Sequence, residues 1–450
     1  MTPLTMEVFR KPLLRTALAE AAKIGRSTGP YKTIKYLPTP RLLPVPLQPT
    51  VHLRSLHSSP SVMSTPDKSQ ADLAGTWLGH RGTAAFDLRS DIMTTPTPAM
   101  LFAVQQTTFL DDVYQEDTTT LDLEAHVASL TGKEDALFVL SGTMGNQVSL
   151  RTLLTQPPHG VLADHRSHII VYEAGGVSSL SGAMITPIVP RNGVYLTLED
   201  IKSKVVLGDD VHSCPTRVIS LENTLDGLIT PLDEVRKISE FARENDIRMH
   251  CDGARLWEVV ASGAGSLHDY CQYFDTVSLC FSKGLGAPVG SIVVGSKSLI
   301  KQARWVRKAI GGGLHKSGIV TAAARVAVDV TFGKGPNGEG GLLRDTHATA
   351  KRVEKMWTHL GGKVLVPVQT NMIWLDLKSL NSSIPRFIEL AKEAGLKLNG
   401  QRIVTHYQIG EEAIQRLGGV FEKMAAEKGA GNLDGNHGEA ERRGIYGNNS

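Results

Sequence analysis

Three groups of residues carry the chemical content of this 450-residue chain. Lys283 stands in Ser282-Lys283-Gly284-Leu285-Gly286, directly after the apolar run Val277 to Phe281, and the glycines let a ligand or another backbone approach closely. A lysine at the carboxyl end of a parallel strand lies where open α/β sheets bind ligands. Asp252 ends a second apolar run, Arg248 to Cys251, about one βαβ unit earlier. The third group is Ser141-Gly142-Thr143-Met144-Gly145-Asn146, between the apolar run Ala136 to Leu140 and a helical pattern, where backbone N–H groups at a helix start favour a dianionic phosphate. It is neither a dinucleotide-binding glycine pattern nor a Walker loop. An amine that forms a Schiff base, a carboxylate that keeps a pyridinium nitrogen protonated and a phosphate cradle are what pyridoxal 5'-phosphate requires. Singly, each group also fits a plainer role: a surface lysine, a helix N-cap and a capping turn.

These groups need a scaffold of alternating strands and helices. Ala136 to Leu140, Met184 to Val189, Val218 to Leu221, Arg248 to Cys251, Val277 to Phe281 and Ser291 to Val294 read as buried strands, with amphipathic segments at Leu121 to Leu130, Gln147 to Leu154 and Leu232 to Glu244. The alternation predicts an α/β fold with a mainly parallel sheet covered on both faces, over residues 83–332. The glycine-rich stretch Gly333 to Gly341 reads as a hinge. Beyond it, a helix at Leu342 to Leu360, strands at Val364 to Val366 and Met372 to Leu377, and a helix at Ile384 to Ala394 predict a smaller C-terminal α/β domain over 342–425. The polar stretch 429–450 reads as a disordered tail.

Composition narrows the classes. With 41% hydrophobic and 21% charged residues the chain is neither fibrous nor wholly disordered. Its net charge of +3 comes from a leader: nine basic residues stand among the first 65 against only Glu7 and Glu20. A mildly acidic body gives no reason to expect nucleic acid as a partner. Residues 1–62, rich in Arg, Ser, Leu and Pro, read as a mitochondrial presequence, with a processing-like stretch at Arg54 to Ser59 and a cytosolic location as the alternative. No apolar run approaches the roughly 20 residues of a membrane span, and the four cysteines lack metal-ligand spacing, so neither a membrane nor a metal is expected.

The runs Asp87 to Asp91, Asp111 to Tyr114, Ser141 to Asn146, Glu173 to Gly176, Leu221 to Thr224, Asp252 to Arg255, Ser282 to Gly286 and Gly311 to Gly313, in this order, resemble the low-specificity L-threonine aldolases over about residues 83 to 425. The resemblance implies a fold type I (aspartate-aminotransferase-like) pyridoxal phosphate enzyme with a large cofactor domain, a small C-terminal domain and active sites shared in a homodimer or homotetramer. It implies retro-aldol cleavage of L-threonine or L-allo-threonine, a small amino-acid substrate, to glycine and acetaldehyde. It casts Lys283 as the Schiff-base lysine, Asp252 as the pyridinium partner, Gly142 and Thr143 as the phosphate loop, and His168 as the imidazole stacked on the cofactor. Ser90, Arg255 and Arg402 become the grip on the substrate carboxylate, and Tyr114 and Lys308 the residues that reach a neighbouring subunit's site. Three departures stand out: Leu225-Asp226 follows Leu-Glu-Asn-Thr where many members carry a histidine, His315 replaces a usual arginine, and Asp117-Thr118 replaces Asp-Pro. The first leaves His168 as the leading base for the β-hydroxyl. A β-eliminating lyase, an aminotransferase or a non-catalytic cofactor-binding homologue are the competing readings.

Overall fold

The computed structural model describes residues 84–333 and 340–429. The leader, residues 334–339 of the hinge stretch and the tail from 430 onward lie outside the described residues. The first sheet holds seven strands: β1 (Asp135–Val139), β2 (Gly160–Asp164), β3 (Met184–Ile188), β4 (Thr216–Glu222), β5 (Arg248–Asp252), β6 (Thr276–Cys280) and β7 (Ser291–Gly295). Their spatial order is β1-β7-β6-β5-β4-β2-β3, and only β7 runs against its neighbours. The second sheet holds β8 (Lys363–Val364), β9 (Met372–Asp376) and β10 (Arg402–Val404), all antiparallel.

Strand ends agree with the sequence pattern to within a residue or two, because every run is bounded by turn residues. The strand β2 escapes that reading. Its sequence, Gly-Val-Leu-Ala-Asp, offers three apolar residues after a proline pair, too short a run for periodicity to show, yet all five residues are buried between β3 and β4.

Two large apolar cores support the sheets, with two smaller clusters against the seven-stranded one. One packs Trp257, Phe281, Phe138 and Phe332 against the seven-stranded sheet, with Trp257 edge-on to Phe332 at 4.8 Å between ring centres. The other gathers Trp357, Phe387 and Phe421 with β9 and β10, and it also takes Leu88, with Phe86 packed against it. Residues 86–88, placed by the sequence pattern with the large domain, therefore pack with the small sheet. Leu88 donates its amide to the Lys397 carbonyl at 3.0 Å and accepts from the Val404 amide at 2.9 Å. This attachment fixes where Ser90 and Asp91 emerge. None of the described helices is long and apolar enough to cross a membrane.

The helix Gly142–Leu153 lies directly on β6, and glycine at position 145 is what allows it, since a Cβ there would overlap the Ser278 hydroxyl. Gly145→Ala should lower stability by about 1–3 kcal/mol, the range for overpacking, read as a fall in thermal midpoint; an unchanged midpoint would mean the helix can shift off the sheet freely.

Candidate active site

The site is assembled at the carboxyl ends of β4, β5 and β6. Asp252 closes β5; Lys283 lies three residues past β6 in a turn with positive φ at Gly284 and Gly286. Glycine is required at 286, where a Cβ would collide with the Tyr407 hydroxyl. Burial favours the neutral amine of Lys283, yet nearby Cys280, Asp252 and Asp91 outweigh both burial and the opposing Arg255, and its pKa lies above the ordinary lysine value.

A buried hydrogen-bond chain fixes the aspartate. Asp252 Oδ1 accepts from the Ala254 amide at 3.0 Å and Oδ2 from Asn146 Nδ2 at 2.7 Å. The same Asn146 nitrogen donates to Glu173 Oε1 at 2.8 Å, Gln147 donates to Glu173 Oε2 at 2.6 Å, and His168 Nδ1 lies 2.7 Å from Glu173 Oε1. Behind Asn146, burial pushes His250 down to about 4, so its ring is neutral at neutral pH. With Nε2–H facing Asn146 Oδ1 at 3.1 Å and Nδ1 accepting from the Thr276 hydroxyl at 2.9 Å, the amide has one orientation, nitrogen toward both carboxylates. His168, Glu173 and Asp252 offer atoms within 4.8 Å of one another, a spacing that would also suit a cation, but the two carboxylates are already bonded to Asn146 and His168 to Glu173.

At the start of the helix Gly142–Leu153, the Ser141 hydroxyl accepts from the Met144 amide at 3.1 Å. The Gly142 and Thr143 amides have no partner within the helix by construction and are available to an anion, with Thr143 half-buried.

The expected carboxylate grip needs one correction. Arg255 already gives Nε and Nη2 to Asp91, at 2.7 and 2.6 Å, in a buried bidentate pair that Asn371 joins at 3.3 Å. Two of its five N–H groups are thus taken, and both on Nη1 are left for a ligand. Burial acts to raise the Asp91 pKa, but the charge and hydrogen bonds of Arg255 override it and bring it to about 2. Ser90 is buried beside this pair, its hydroxyl 3.3 Å from Asp91 Oδ1. Arg402, on β10, donates Nη2 to the Arg89 carbonyl at 3.0 Å and stacks 5.7 Å from the Trp374 ring, while its buried Nη1 has no partner. A buried guanidinium N–H without a partner suits an anionic oxygen.

An adjoining cavity of about 450 Å³ is lined by His168, Glu222, Leu225, Arg255, Met372 and Trp374 among others. Leu225 is buried in a turn that closes between Leu225 and Leu228, so an apolar wall stands where the resemblance implies a histidine. His315 is exposed and pairs with Asp111 at 2.6 Å. Tyr114, 75% exposed, and Lys308, also exposed, do not line this cavity; a role for either needs a second copy of the chain. Asp91, Asn146, Glu173 and Glu222 received no role from sequence reasoning, although each stands inside one of the motif runs.

The pattern of the beta-eliminating lyase family matches residues 87–379. The chain is 51% identical to the aldolase vrtJ of Penicillium aethiopicum over 83% of this chain and 94% of that protein. It is 48% identical to the alanine racemase TOXG of Cochliobolus carbonum, covering 76% and 88%. It is 46% identical to the low-specificity L-threonine aldolase of Candida albicans, covering 74% and 87%. The solved threonine aldolase of Leishmania major superposes with a TM-score of 0.64 at 18% identity, over 76% of this chain and 99% of that one, and shares the fold.

Removing the Asp91 charge should be costly, because it strands a buried guanidinium: Asp91→Ala is expected to lower stability by roughly 3–5 kcal/mol in urea unfolding. The folded carboxyl titrates near 2 against an ordinary 3.8, so its contribution is complete above about pH 4 and is lost as pH falls toward 2. That part of the acid sensitivity should vanish in the variant; a variant as acid-labile as the parent would count against the pair.

Proposed function

The chain belongs to the beta-eliminating lyase family and within it to the low-specificity L-threonine aldolases, and on that premise we propose that it cleaves L-threonine and L-allo-threonine reversibly to glycine and acetaldehyde. The observation that carries this reading is the convergence of Lys283 and the Asn146-fixed Asp252 on adjacent strand ends beside an arginine with an open donor.

Pyridoxal 5'-phosphate fits this donor set: the Gly142 and Thr143 amides for its phosphate, Asp252 for the ring nitrogen, His168 for the ring face and Lys283 for the aldehyde. When bound it supplies an electron sink for the pair left on Cα as a bond breaks. Arg402 Nη1, Ser90 and the Nη1 donors of Arg255 hold the substrate carboxylate. Holding that end fixes rotation at Cα and selects the Cα–Cβ bond for cleavage. His168 has Nδ1 tied to Glu173, so Nε2 is the atom left to receive the β-hydroxyl proton, directly or through one water. Glu173 then stabilises the imidazolium that results.

The exposed Phe102, Phe109, Leu110 and Tyr114 support a homodimer or homotetramer that completes each site, since apolar side chains of this size close together in sequence favour burial against another copy. Mitochondrial import through residues 1–62 belongs to the same proposal and is supported by their composition. The likeness to an alanine racemase favours one second reading, proton exchange at Cα of alanine.

Purified protein supplied with the cofactor should release equimolar glycine and acetaldehyde from L-threonine. D-alanine from L-alanine, without acetaldehyde from L-threonine, would establish the second reading instead. Arg402→Lys keeps the charge but loses the planar donors, and kcat/KM for L-threonine should fall by about 10- to 100-fold, the value of a charge-assisted hydrogen bond; a change under twofold would remove Arg402 from the grip.

A further inference from the structure

Glu222 has no part in the reaction as described above, yet it occupies the most conspicuous place left in the site. It ends β4 and pairs in register with Asp252 on β5, so the two carboxyls project from the same sheet face on neighbouring strands. They are not equally served. Asp252 receives two hydrogen bonds, from Ala254 and Asn146. Glu222 receives one, from the His168 amide to Oε2 at 2.7 Å, and its side chain lines the cavity beside His168 and Leu225. Two adjacent carboxylates in a half-buried site do not both ionise cheaply, and the proton goes to the one that receives fewer hydrogen bonds. The other charges that face Glu222 are Lys283 after β6, Asp226 in the following turn and Arg166 before the helix His168–Val171. Arg166 is already committed to Asp164 through Nε and Nη2, at 3.0 and 2.9 Å. Burial and Asp252 together raise the Glu222 pKa well above the ordinary carboxyl value, against the opposing pull of the His168 amide and Lys283.

We propose that the neutral carboxyl of Glu222 is a hydrogen-bond donor to the β-oxygen of the substrate, in the place where Leu225 has left no imidazole. The inference rests on the aldol reading and deepens it. Oε2 accepts from His168; the other oxygen carries the proton into the cavity. No proton is transferred from Glu222: the β-hydroxyl donates its own proton to His168 and its oxygen accepts from Glu222. The hydrogen bond strengthens as that oxygen gains charge, so the group both binds the β-hydroxyl and assists its deprotonation.

The test compares ligands that differ only in the β-oxygen. Binding of L-serine and of L-alanine to the cofactor-loaded enzyme is followed by the change in cofactor absorbance, in the parent, Glu222→Gln and Glu222→Met. Glutamine reproduces both partners, an oxygen for the His168 amide and an N–H for the cavity; methionine has neither. Glu222→Met should weaken L-serine on the order of tenfold and leave L-alanine unchanged, while Glu222→Gln should resemble the parent. In the parent, the advantage of L-serine over L-alanine should shrink as pH rises and Glu222 ionises, and in Glu222→Gln it should not. Equal weakening of both ligands in Glu222→Met, no weakening of either, or loss of the L-serine advantage in Glu222→Gln would overturn the proposal. Should Glu222→Met fail to fold, the pH comparison of the other two proteins decides the matter, and an advantage that stays constant with pH in the parent overturns it. Failure of the aldol reading shows separately, as a parent enzyme that releases no acetaldehyde from L-threonine.

Discussion

The Asn146 side-chain amide, with one nitrogen shared between Asp252 and Glu173, is the interaction on which the site depends. Asp252 ends one strand and Glu173 follows the short helix that presents His168, so this one amide sets the distance between the carboxylate that would face the cofactor's ring nitrogen and the imidazole that would cover its ring face. Its orientation is imposed from behind by a neutral, fully buried histidine bonded to Thr276. Burial opposes a charge on His250 and so keeps this arrangement of donors and acceptors. The scaffold thus determines not only where these groups lie but which atoms donate and which accept.

A second constraint joins the two cores. The chain first packs Leu88 with the small sheet, then carries Asp91 to Arg255 at the end of β5. Because β10 hydrogen-bonds to this same segment, Arg402, Ser90 and Arg255 are positioned by one structural unit built from both ends of the described chain. A buried bidentate pair at its centre resists displacement, since separating it would expose an unpaired charge to a low-dielectric interior. The proposed carboxylate grip and the residues proposed to hold the cofactor can therefore keep a fixed relative orientation, which bond selection at Cα demands.

Much of this was legible in the amino-acid sequence. Lys283 and Asp252 follow apolar runs, and a residue ending a buried parallel strand has only one place to be. The start of the helix at Gly142 was legible for the same reason. What stayed hidden depended on pairing between distant residues. Nothing local to Arg255 announces that Asp91 will take its Nε and Nη2 in a bidentate pair, and nothing local to Glu222 shows that Asp252 will stand beside it, because strand register is a property of the folded sheet. The strand β2 was too short for its pattern to register, and the packing of Leu88 with a core that begins only at Ala350 follows from no nearby signal.

The central claim is that Lys283, opposite Asp252, is the covalent anchor of pyridoxal 5'-phosphate. Borohydride reduction of the cofactor-loaded enzyme, followed by proteolysis and mass spectrometry, tests it most directly. The account predicts a single reduced pyridoxyl adduct, on the peptide that contains Lys283. An adduct on a different lysine, or no adduct in protein that carries the bound cofactor, would contradict it.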